Sequence, residues 1–135
     1  MDTISSDTKT VLVVEDEQPL ADAIRLKLEH SGFAVAVART VEQALHYLED
    51  LVKVDAIWLD HYLLGKENGL DFVMMVKGEK AEWRHIPIFV VSNTASIDKV
   101  HSYLQLGVQK YYVKANYRID EIVKDITEAL ATPSA

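Results

Sequence analysis

Val11-Leu12-Val13-Val14 is a wholly apolar run of Leu and β-branched residues that stops abruptly at Glu15-Asp16-Glu17, the pattern of a strand buried on both faces. Pro19 fits a first helical turn, and Leu20, Ala23, Ile24, Lys27 and Leu28 follow at helical spacing until Gly32, which is placed to end the helix. Ala34 to Ala38 alternates Ala and Val as a second strand. Thr40-x-x-Gln43 then matches a capping box opening a helix with Val41, Ala44, Leu45 and Leu48 on one face. The alternation continues with a third strand, Ala56-Ile57-Trp58-Leu59, ending at Asp60. A loop from His61 to Asn68 leads into a third helix that carries Leu70, Val73, Met74 and Lys77 and closes near Gly78. Pro87 opens a fourth strand, Ile88 to Val91, at a position where a missing N–H is tolerated. Ile97, Val100 and Leu104 mark helix 4 with Gly107 as its C-cap. Tyr111-Tyr112-Val113 gives a short strand 5 ending at Lys114, and Ile119, Ile122, Val123, Ile126 and Leu130 line helix 5 before Pro133.

Five βα units with apolar strands predict an α/β fold, a doubly wound five-stranded parallel sheet with helices on both faces and right-handed crossovers. The core is expected over residues 10–131, between tails at 1–9 and 132–135. A chain of 135 residues and 15.2 kDa is one ordinary domain, and with 49% apolar residues it can remove roughly two-thirds of its unfolded surface from water. The absence of cysteine excludes disulfides, thiolate chemistry and cysteine-ligated metal, and suits a reducing cytosol. Fourteen basic residues against 21 acidic ones give a net charge of −7, which repels phosphate backbones and anionic lipid, so neither nucleic acid nor membrane is an expected partner. No apolar run approaches the ~20 residues a membrane helix needs, and the polar N-terminal stretch has no apolar region of a secretory signal.

In open α/β sheets ligands bind beyond the carboxyl ends of the strands, where strand order reverses. The residues just past those ends are Glu15 and Asp16, Asp60, Ser92 and Lys114. Three carboxylates gathered there repel one another and hold protons unless a cation neutralises them. All-oxygen ligands without cysteine or paired histidines favour Mg²⁺, with Mn²⁺ possible. A carboxylate nucleophile, a metal, an ammonium and a hydroxyl are the parts needed to move a phosphoryl group. Glu17 reads instead as a charge favouring the helix-1 dipole, and Ser92 or Thr94 alone would read as an ordinary cap. His61, with no partner at metal-ligand spacing, is expected to face solvent.

These residues resemble the receiver domains of two-component response regulators from about Val11 to Ala131. Two acids stand after strand 1 in VLVVEDEQPL and an aspartate after strand 3 in AIWLDHYLLGKENGL. A hydroxyl follows strand 4 in IFVVSNTA, and Tyr111 precedes Lys114 by three in YYVKAN. The resemblance implies a flavodoxin-like (βα)5 fold with strand order 2-1-3-4-5. It implies Mg²⁺ held by Glu15, Asp16, Asp60 and the Tyr62 backbone carbonyl, and phosphotransfer to Asp60 from a sensor histidine kinase or histidine phosphotransfer protein. Lys114 would neutralise a phosphoryl oxygen, while Ser92 and Tyr111 would act as switch residues that reshape the face made by helix 4, strand 5 and helix 5. Tyr103, Tyr112 and Tyr117 lie near that face in sequence. The implied protein is cytoplasmic, a monomer or a phosphorylation-dependent dimer, and slowly dephosphorylates itself. Its output would pass to a downstream protein target by contact, phosphate relay or competition for a kinase.

The sequence departs from the family pattern at Ala115, where a proline usually follows the lysine in a cis bond; a cis bond before a non-proline residue costs about 2.5–4 kcal/mol. Asn93 stands where a small residue is usual, which would alter the phosphate lifetime; Leu64 stands where many members have proline and the loop to Gly69 is one residue longer than in the shortest members, so a shifted loop around an intact site is expected. The alternative is a receiver-like protein-binding module that phosphate does not switch. A flavodoxin-like electron carrier is disfavoured because Glu15-Asp16-Glu17 would repel the phosphate such a carrier cradles after strand 1. An aspartyl phosphatase is disfavoured because Tyr62, not an acid, stands two residues after Asp60.

Overall fold

A computed structural model describes residues 8–50, 53–78, 81–94 and 96–131. Five strands, β1 (Thr10–Val14), β2 (Ala34–Ala38), β3 (Ala56–Leu59), β4 (Ile88–Ser92) and β5 (Lys110–Val113), form one parallel sheet in the order β2-β1-β3-β4-β5. Between and after them run α1 (Gln18–His30), α2 (Val41–Asp50), α3 (Gly69–Gly78), α4 (Ile97–Gln105) and α5 (Ile119–Ala131). Single 3-10 turns at Ala81–Trp83 and Lys114–Asn116 were not visible in the hydrophobic pattern. The expected tails at 1–7 and 132–135 lie outside the described residues. Lys9, expected in the N-terminal tail, is tied to the sheet, since its carbonyl accepts from the Ala34 N–H at 2.9 Å.

Alternation along each strand divides the core in two. Leu12, Val14, Ile57, Leu59, Ile88 and Val90 pack against α2, α3 and α4, whereas Val11, Val13, Trp58, Phe89, Val91 and Tyr112 pack against α1 and α5. Strands buried on both faces therefore read as continuous apolar runs. The polar start signals fold as their chemistry predicts. Thr40 Oγ1 accepts from the Gln43 N–H at 3.1 Å, while the Gln43 side chain reaches back to the Arg39 N–H at 2.7 Å. Asn68 and Asp71 cap α3 reciprocally at 3.1 and 2.9 Å.

Helix faces depart from the expected periodicity in two places. On α4, Ile97 is 83% exposed and Leu104 51%, and the buried residue is Tyr103. On α3, Met74 is 51% exposed, and Phe72 and Val76 turn inward beside the expected Val73. In both helices a large aromatic ring gains more from the sheet surface than the aliphatic residues the pattern favoured, because ring burial removes more apolar area from water.

Among the described residues no helix is long and apolar enough to cross a membrane.

Candidate functional site

Strand register builds the site. Val14 of β1 sits opposite Leu59 of β3, so the next residues, Glu15 and Asp60, leave the sheet side by side; the Asp60 N–H donates to the Val14 carbonyl at 3.0 Å. Glu15 is fixed from the other flank by its N–H to the Ala38 carbonyl at 2.9 Å. Ser92 ends β4 opposite Val113, and Lys114 follows immediately on β5. Four sequence-distant polar residues thus stand at one sheet edge, as the strand-end rule requires.

Ligand atoms of Glu15, Asp16 and Asp60 lie within 4.8 Å of one another. Glu15 and Asp60 are almost fully buried, at 1% and 5% exposure. The Lys114 ammonium stands 3.3 Å from Glu15 Oε1 and 3.7 Å from Asp60 Oδ1. One ammonium does not balance this cluster. Burial first, and the neighbouring Asp60 second, push the Glu15 carboxyl up to about 7 even though Lys114 opposes them. Burial also raises Asp60, with Lys114 pulling it down and Asp16 adding to the rise. Two buried carboxyls whose proton affinity is raised by burial, with Asp16 beside them and one ammonium opposite, fit a small hard dication. The bond from Lys114 to Ala115 is trans, as are all peptide bonds among the described residues, and Lys114 still reaches both acids.

Ser92 is fully buried and its Oγ accepts from the Thr94 N–H at 3.4 Å. Tyr111, half-buried, donates its hydroxyl to the Thr94 carbonyl at 2.7 Å, so both expected switch residues converge on the same short loop. Asn93 points to solvent. The Tyr62 side chain is exposed, and its hydroxyl accepts from Lys99 Nζ at 3.1 Å.

His61 does not face solvent. It is buried at 2% exposure, with Nδ1 2.6 Å from the Tyr103 hydroxyl. Burial lowers the imidazole and raises the phenol from their ordinary values, so the two share a hydrogen bond between neutral groups. The loop residue next to Asp60 is thereby anchored to α4. Sequence reasoning missed this pair because 42 residues separate its members and neither belongs to a spacing motif. Arg39 was also missed; its guanidinium donates to the Asp16 carbonyl at 3.0 Å.

Gly69 stands under the same pair. A Cβ there would collide with the Tyr103 hydroxyl and lie 3.0 Å from the Asp60 carbonyl and 3.1 Å from His61 Cα, both backbone atoms that cannot swing aside. Gly69→Ala is expected to destabilise the fold by about 1–3 kcal/mol through overpacking. Gly78→Ala, where a Cβ meets nothing within 4 Å, is expected to be neutral or slightly stabilising. Urea denaturation midpoints of the two variants measure the contrast.

The sequence profile described as Response regulator receiver domain matches residues 11–127. This chain belongs to the response regulator receiver family. It is 32% identical over 114 residues to the alginate biosynthesis transcriptional regulatory protein AlgB of Pseudomonas aeruginosa, covering 84% of this chain and 24% of AlgB. The chain spans about a quarter to a half of the length of the curated relatives it matches. A receiver domain protein from Methanospirillum hungatei superposes with a TM-score of 0.82 at 21% identity, over 93% of this chain and 95% of that one. The Mn²⁺-bound form of the response regulator Rcp1 gives 0.79 at 23% identity, over 93% and 97%. These likenesses fix the doubly wound receiver fold and its strand order.

Proposed function

We propose that this receiver, spanning residues 10–131, is a phosphorylation-driven switch in which Asp60 accepts a phosphoryl group from a histidine kinase or phosphotransfer protein. The observation that carries the reading is the Lys114 ammonium within 4 Å of both Glu15 and Asp60, beside three carboxylates whose ligand atoms lie within 4.8 Å. Glu15, Asp16 and Asp60, with the Tyr62 backbone carbonyl, would hold Mg²⁺ or Mn²⁺. That ion would supply charge neutralisation for the phosphoryl oxygens. An Asp60 carboxylate oxygen attacks phosphorus in line; the P–N bond of phosphohistidine breaks, and the electron pair leaves on the imidazole, which takes up a proton from solvent to depart neutral. Lys114 neutralises a phosphoryl oxygen. Water later hydrolyses the acyl phosphate and resets the switch.

The output reading rests on Ser92, Tyr111 and α4. Ser92 turns to a phosphoryl oxygen, the loop that holds the Tyr111 hydroxyl moves, and the ring follows. Ile97 and Leu104, exposed on α4, lie on the face so remodelled and suit a protein partner better than nucleic acid, which the net charge repels. A cytoplasmic setting accords with a kinase donor.

The test is incubation with acetyl phosphate and Mg²⁺, read by intact mass. The expected result is one phosphoryl group per chain, removed by hydroxylamine as an acyl phosphate should be, and dependent on the metal. A chain that gains no phosphoryl group would leave the unswitched binding module as the better reading.

A further inference from the structure

α4 grips the two residues that follow Asp60. Lys99 and Tyr103 stand four apart on that helix and so share one face of it. The Tyr103 hydroxyl lies 2.6 Å from His61 Nδ1, and Lys99 Nζ donates to the Tyr62 hydroxyl at 3.1 Å. The Lys99 contact is exposed, whereas the Tyr103 contact is sealed, with Tyr103 at 0% and His61 at 2% exposure. The His61 ring meets the Tyr103 ring edge-on, with centroids 5.7 Å apart. Its carbonyl accepts from the Gly69 N–H at 2.9 Å, and the Tyr103 hydroxyl occupies the space that a Cβ on Gly69 would need. His61 is thus held by side chain and backbone at once.

His61 lies in the chain between the Asp60 carboxylate and the Tyr62 carbonyl, so its backbone governs how those two oxygens stand to each other. A magnesium-sized ion demands near-ideal octahedral geometry at about 2.0–2.1 Å and tolerates misplaced oxygens poorly. Hydrogen bonds one layer out from the ligands are what fix such oxygens in place. A buried bond suits that task, because breaking it strands a polar atom away from water. We infer that Tyr103 is a positioning residue for the ion site: its hydroxyl, acting through His61, holds Asp60 to Tyr62 at the spacing a divalent ion requires and so sets the affinity of the site from α4. The inference rests on the reading of Glu15, Asp16, Asp60 and the Tyr62 carbonyl as ion ligands, and adds to it a residue that touches neither ion nor phosphoryl group.

Mn²⁺ is the probe, because the electron paramagnetic resonance of the free ion counts what is bound without a reporter in the protein. Titrated into the full chain at pH 8, above the raised Glu15 value of about 7, it should bind, and Asp60→Asn should weaken it, which tests the ligand reading. Tyr103→Phe keeps every ligand and should weaken binding about tenfold, the lower end of what losing such an outer contact costs. His61→Leu combined with Tyr103→Phe separates positioning from stability, since two apolar side chains leave no buried polar atom unpaired. Its urea midpoint should return toward the native value while its Mn²⁺ affinity stays about tenfold low. His61→Asn, whose amide reaches the place of Nδ1, should keep most of the native affinity. Native affinity in Tyr103→Phe, affinity that returns with stability in the double variant, or no rescue by His61→Asn overturns the positioning role and leaves the ion site standing. A native chain that binds no Mn²⁺, or binds it equally in Asp60→Asn, overturns the ligand reading and the inference with it.

Discussion

Asp60→Asn is expected to reduce phosphoryl transfer from acetyl phosphate to background while leaving the chain folded and more stable. The attacking atom must be a carboxylate oxygen with a lone pair and negative charge, and an amide in the same volume supplies neither. Asp60 is held by its N–H to the Val14 carbonyl and by strand register, neither of which involves its side chain, so the isosteric change leaves the backbone in place. It also removes one of the charges that raise Glu15. At pH 8 without metal the relief should be about 1 kcal/mol, the size of roughly one pKa unit of mutual repulsion. Intact mass after incubation and a urea midpoint in the same buffer report the two halves. Label retained at the native level would assign the acceptor elsewhere, and lost label with lost stability would reduce Asp60 to a structural role.

The architecture was legible because it depends on short-range patterning. Val11 to Val14, Ala56 to Leu59 and Ile88 to Val91 are apolar throughout, as only doubly covered strands are, and each runs directly into a polar residue that marks its carboxyl end. Once the alternation of strands and helices was read, the meeting of Glu15, Asp16, Asp60, Ser92 and Lys114 followed from topology rather than from any one motif. What escaped depends on side chains choosing between surfaces that periodicity treats as equal. Tyr103 and Leu104 are neighbours on one helical turn, and the pattern favoured Leu104. Tyr103 goes inward because its ring covers the sheet and its hydroxyl finds His61, a polar partner that no local spacing announces. His61 reads as a solvent-facing residue for the same reason, since its burial is set by an α4 residue far along the chain. The usual proline after Lys114 also proves unnecessary for placing the ammonium, because the trans bond into Ala115 begins a 3-10 turn that leaves Lys114 over both acids.

Metal-free protein should lose stability as pH rises from about 4.5 to about 7, and a divalent ion should restore it. The Glu15 carboxyl titrates near 4.5 in the unfolded chain and at about 7 in the folded one, so over this interval the native state holds a proton that the unfolded state has released. Raising the pH then favours unfolding, and the 2.5-unit difference corresponds to about 3 kcal/mol, fully lost above pH 7. Asp60, also raised by burial, acts with the same sign. His61 acts oppositely. Burial lowers its pKa, so its contribution grows as pH rises toward 6.5 and partly masks the loss. Asp125, lowered chiefly by the Tyr112 hydroxyl, changes only near and below its usual value of 3.8, outside the interval. Glu15→Gln separates these effects, since it keeps His61 and removes the raised carboxyl. Urea unfolding at pH 5 and pH 8 in chelator should show native stability falling by about 3 kcal/mol more than that of the variant. Millimolar Mg²⁺ at pH 8 should recover most of the loss in the native chain, in proportion to the logarithm of metal concentration, and much less in Glu15→Gln. Parallel pH profiles for the two proteins, or equal stabilisation by the ion, would mean that Glu15 is neither strained by its charge nor a ligand.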